Sequence, residues 1–78
     1  MIENFPPKRF DNEARQRSHE KNVAEYTEVM EAAPGEDVAT SATYWDSIYS
    51  DPDYPIAWRV SAQDFSTVCR NELAKRGL

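Results

Sequence analysis

The chain is short of the residues that most small folds rely on. It has one cysteine, two glycines, one histidine and only two leucines, Leu73 and Leu78. Cys69 alone cannot form an internal disulfide, so a disulfide scaffold is excluded and a reducing, cytoplasmic setting is expected. Gly35 and Gly77 stand alone, so no glycine-rich phosphate loop exists and no nucleotide cofactor is expected. No apolar run approaches the 18 or so residues of a spanning helix, and the first ten residues, MIENFPPKRF, show no secretory h-region. At 78 residues the chain holds one domain at most.

Ile, Leu, Val and Phe together number 13, a level at which disorder competes with folding. Against them stand nine aromatic residues, each able to bury more area than an aliphatic one. The core must therefore be built on rings. Trp45, Ile48, Trp58 and Phe65 are its expected members.

The net charge of −5 is unevenly spread. Residues 22–69 carry nine acids against Arg59 alone, a net of −8, while residues 1–21 and 70–78 stand at +1 and +2. Such a block repels nucleic acid and attracts a basic surface, although a solvated acidic face is the ordinary reading of such a run.

Pro6-Pro7 holds residues 1–10 in an extended arm, with Phe5 and Phe10 available to pin it. Residues 11–33 lack Pro and Gly, begin at a capping Asp11 or Asn12 and stop at Pro34-Gly35, which predicts a long helix over about 12–33. Val23, Tyr26, Met30 and Ala33 recur at 3-4-3 spacing and mark its buried face. Residues 12–22 offer only Ala14, so residues 11–22 read as a frayed or partner-ordered half.

PGEDVAT (34–40) reads as a polar connector. Ala42, Trp45, Ile48 and Tyr49 then predict a short helix over about 41–50, ended by the Asp51–Pro55 turn. IAWRV (56–60) reads as a short extended segment. Ser61 to Asp64 has the form of a capping box, with Val60 and Phe65 at staple positions, and opens a helix over about 62–76. Lys75 and Arg76 suit its last turn, and Gly77 and Leu78 suit a left-handed cap. The expected fold is mainly α: one small three-helix domain over residues 11–78, behind the arm.

No catalytic, cofactor or metal site is expected. His19, the sole histidine, reads as an exposed helix residue, and Cys69 as a small core residue. Asp51-Pro52-Asp53 starts like a calcium loop, but Tyr54, Pro55 and Ile56 break the pattern. Without a metal cluster, a histidine pair or a cofactor motif, the chain reads as no enzyme, and no small-molecule substrate is expected.

Ser41, Tyr54-Pro55 and Trp58-Arg59-Val60-Ser61, with Asp64-Phe65, resemble the small excisionase-type winged helix-turn-helix regulators over about 30 residues. The resemblance implies a recognition helix from Ser41, a wing strand near Trp58 and DNA binding. The candidate recognition helix has no Lys or Arg, which that readout requires.

Protein binding is the expected function, since Trp, Tyr and Arg lead interface hot spots. Tyr44, Asp46, Tyr49, Asp51, Asp53 and Tyr54 are the expected partner-binding residues. The expected partner is a protein with a basic surface, such as the nucleic-acid-binding face of a larger enzyme or machine. By analogy of size and charge, the role is that of an inhibitor or adaptor of the kind phages encode. A DNA-binding regulator and a small structural subunit of a larger assembly are the alternatives.

Overall fold

Two prolines set where the second and third helices begin. The computed structural model describes residues 12–78, so the expected extended arm lies outside the described residues. Three helices follow in order: α1 (Glu13–Ala32), α2 (Gly35–Ser50) and α3 (Ile56–Arg76), with no strand among the described residues. The mainly α, three-helix fold is the one the sequence predicts.

α1 starts as the sequence indicates. Asn12 caps it, its Oδ1 accepting from the backbone N–H groups of Ala14 and Arg15 at 2.8 and 3.2 Å. α2 and α3 have no side-chain cap. Pro34 and Pro55 stand at their N-cap positions with nearly the same backbone (φ/ψ −60/151° and −56/148°). Each proline carbonyl accepts the first two helical N–H bonds, from Asp37 and Val38 in α2 and from Trp58 and Arg59 in α3.

Both helices are therefore longer than the sequence pattern suggested. The PGEDVAT stretch is the first turn of α2 rather than a connector. Glu36 and Asp37 suit its positive end, and Val38 is fully buried one turn before Ala42. Residues 56–60 are the first turn of α3 rather than an extended segment, and the capping-box serine, Ser61, lies inside that helix. The elements that carried the winged-helix resemblance are thus differently placed: Ser41 is in mid-helix and the wing strand is the start of α3.

α3 packs against both other helices. Val23, Met30, Val38, Ala42, Val68 and Cys69 form the buried cluster, with Tyr26, Trp45, Phe65 and Leu73 against it. The Phe65 ring meets the rings of His19, Tyr26 and Trp45 at centroid distances of 6.0, 5.0 and 5.0 Å. Trp45 Nε1 donates to Tyr26 Oη at 2.8 Å, and that hydroxyl lies 3.5 Å from Cys69 Sγ. Burial pushes the Tyr26 phenol and the Cys69 thiol up from their ordinary values. Rings thus do the work of the missing leucines. Ile48 is buried as expected, but Trp58 is 62% exposed and belongs to the surface.

The polar half of α1 is not a solvated extension. Gln16 and His19 are buried, and they continue the 3-4 spacing of Val23, Tyr26 and Met30 backwards along one face. His19, read from sequence as exposed, is 7% exposed, and its Nε2 lies 2.7 Å from Asp64 Oδ2 on α3. Gln16 Nε2 donates to Glu20 at 2.9 Å.

The other end of α1 is held by charge. Its last turn has no basic residue of its own. Arg76 of α3 supplies one, with Nη2 donating to the carbonyls of Met30 (2.8 Å) and Glu31 (3.2 Å) and Nε to buried Glu72 (2.7 Å). Lys75 pairs with both Glu31 and Glu72. Just beyond, Gly77 takes the left-handed conformation (φ 77°), and the Leu78 N–H closes back on the Leu73 carbonyl at 2.9 Å, the expected cap. Arg76→Ala is expected to lower stability by about 1.5–3 kcal/mol, the range for hydrogen bonds to charged groups. Urea denaturation measures this, and Arg76→Lys should recover only part, because one ammonium cannot reach both the carbonyls and Glu72 as the fork does.

Candidate functional site

The corner where α2 turns into α3 carries four of the seven exposed large hydrophobic residues among the described ones. Tyr49 is 42% exposed, Tyr54 37%, Ile56 76% and Trp58 62%. The local chemistry explains the shape. Asp51 ends α2, and its Oδ1 accepts from the Asp53 N–H at 2.9 Å, an Asx turn. The Asp51 carbonyl accepts from Tyr54 N–H at 3.2 Å. Tyr54 immediately precedes the Pro55 cap, and its ring lies back over the first turn of α3, 6.1 Å from the Trp58 ring at a tilt of 33°. Arg59 Nε donates to the Tyr49 carbonyl at 2.9 Å and so satisfies one of the last carbonyls of α2.

Four of the six residues expected to bind a partner meet here: Tyr49, Asp51, Asp53 and Tyr54. Tyr44 does not join them. It is 57% exposed but meets the Trp45 ring edge-on (4.9 Å), and five residues of helix turn it roughly 140° from Tyr49.

Asp46 is engaged within the fold. Ser66 Oγ donates to its Oδ1 at 2.5 Å, and Arg70 pairs with its other oxygen. The Ser66 hydroxyl first, and Arg70 with it, holds the Asp46 carboxyl below its ordinary value, and Arg76 and Lys75 do the same for Glu72. In the unfolded chain these carboxyls titrate near 4. Their stabilisation is thus full above that pH and is lost as pH falls through the lower native values. The double variant Asp46→Asn, Glu72→Gln should therefore lose less stability between pH 5 and pH 3 than the parent chain in urea melts. Equal losses would refute this.

Comparison with family models, curated proteins and solved structures finds no match. The site is therefore read from its own geometry.

Two members of the corner escaped the sequence pattern. From sequence, an isolated IAWRV run puts Ile56 in an extended segment and Trp58 in the core. The signal that could have found them is Pro55. A helix starting there turns Ile56 and Trp58 onto the exposed first turn.

The acids without ion pairs lie on α1, in the first turn of α2 and in the turn that follows it. Glu25, Glu28, Glu36, Asp37, Asp51 and Asp53 have no ion-pair partner among the described residues. The cations of the last turns of α3 are taken internally, by Asp46, Glu31, Glu72 and the carbonyls ending α1. An open groove between α1 and α3 is lined by Thr27, Glu31, Val68, Asn71, Glu72 and Lys75, but its charged groups already pair with one another. No cluster of three His, Cys, Asp or Glu residues that could hold a metal occurs among the described residues. No described helix is long and apolar enough to cross a membrane.

Proposed function

We propose that this protein binds another protein through the α2–α3 corner and carries out no chemistry of its own. The observation that carries the reading is Trp58, a large ring left 62% exposed beside Tyr54 and Ile56, while Tyr26, Trp45 and Phe65 pack against the core. Exposed tryptophan and tyrosine are the residues that most often dominate interface energetics. The unpaired acids favour a partner with a basic surface. A cytoplasmic inhibitor or adaptor acting on the nucleic-acid-binding face of a larger enzyme fits these features, and a phage-encoded origin is the natural extension of that reading.

The test is matched affinity capture from extract of the native host with the tagged chain, Trp58→Ala, Asp53→Lys and Tyr44→Ala, each first shown to melt like the parent. Asp53 is chosen over Asp46 because a lysine at 46 would face Arg70 and leave Ser66 without its acceptor. A protein held by the parent and by Tyr44→Ala, but lost with Trp58→Ala and weakened with Asp53→Lys, supports the proposal. Capture indifferent to Trp58 overturns it, as does tight, steeply salt-dependent binding to duplex DNA, which would favour the regulator reading.

A further inference from the structure

We infer that the corner recognises arginine side chains of its partner, in preference to lysine. This deepens the protein-binding reading and rests on it. The first observation is the ring pair. Tyr54 and Trp58 are both exposed, with ring centroids 6.1 Å apart and planes tilted by 33°, so two aromatic faces lie within reach of one side chain. A planar guanidinium can lie flat on such a face, whereas a compact ammonium gains most where rings enclose it.

The second observation is charge. Asp53 is exposed, and among the described residues no hydrogen bond or ion pair engages its carboxylate. It lies one residue before Tyr54, where it can meet the N–H edge of a guanidinium stacked on the rings. Asp51 adds a second negative charge on the same turn. The only cation on this segment, Arg59, has its Nε on the Tyr49 carbonyl at the negative end of α2.

The probes are two peptides of equal length and charge, acetyl-(Gly-Arg)4-amide and acetyl-(Gly-Lys)4-amide, titrated into the full chain and followed by isothermal titration calorimetry and by the indole N–H signals. The expected result is at least fivefold tighter binding of the arginine peptide, with the Trp58 indole signal shifting and the Trp45 signal still. Trp58→Ala should erase the difference between the peptides, and Asp53→Asn should weaken the arginine peptide severalfold. Equal affinities, or an arginine preference that survives Trp58→Ala, overturn the inference. If the peptides are not distinguished while capture of a partner still needs Trp58, this inference alone fails. If capture is also indifferent to Trp58, the protein-binding reading fails with it.

Discussion

His19→Ala is expected to destabilise the fold by about 3–5 kcal/mol, the range found when one partner of a buried pair is removed. The argument rests on where the pair sits. The His19 side chain is 7% exposed and that of Asp64 3%, with Nε2 and Oδ2 2.7 Å apart. Removing the imidazole deprives a buried carboxylate of this partner and leaves a gap under the Phe65 ring, which meets His19 edge-on. A domain of this length holds roughly 4–12 kcal/mol in all, at about 0.05–0.15 kcal/mol per residue. The variant should therefore be marginal or unfolded at 25 °C. Urea denaturation with an unchanged m-value would measure the loss. Asp64→Asn, which keeps an acceptor facing the imidazole, should cost less than Asp64→Ala. A loss under about 1 kcal/mol for His19→Ala would mean that the contact contributes no more than a surface ion pair.

The same pair shows what could be read from the residues and what could not. The buried stripe of α1 was legible from Val23 to Ala33 because those positions are apolar. It runs on to His19 and Gln16 at the same spacing, but polar side chains carry no apolar signal. Asp64 on α3, 45 residues away, meets His19, and Glu20 one turn along α1 accepts from Gln16, so their burial is tolerable. The cap of α3 was legible down to Gly77 and Leu78, because it depends on local backbone chemistry. The helix starts were misplaced because Ser41 and Ser61 look like caps while Pro34 and Pro55 look like breakers. A proline at the N-cap gives up no helical hydrogen bond, since its carbonyl does the accepting. Moving the start of α3 from Ser61 back to Pro55 is what carries Trp58 out of the core and onto the corner.

The shortage of leucine predicts where the next largest loss lies. Phe65→Ala should cost about 3 kcal/mol, the low end for removing a phenylalanine from a core, since its ring is only partly buried. Phe65 joins all three helices: it meets His19 and Tyr26 on α1 and Trp45 on α2. The ring packs against the cluster of Val23, Met30, Val38, Ala42, Val68 and Cys69, so its removal leaves a gap at the point where the three helices meet. The Tyr26–Trp45 hydrogen bond packs against the same ring and should loosen with it, which near-UV circular dichroism would show. A melting temperature lowered by more than about 10 °C is the expected reading for a chain of this size. Phe65→Leu should restore part of the loss by filling volume, without the ring-edge contacts. Trp58→Ala removes a larger ring, yet it should stay within about 0.5 kcal/mol of the parent, as surface changes do. The two substitutions separate the rings that hold the helices together from the ring that remains available to a partner. A Trp58→Ala variant as damaged as Phe65→Ala would return that tryptophan to the core and take the docking corner with it.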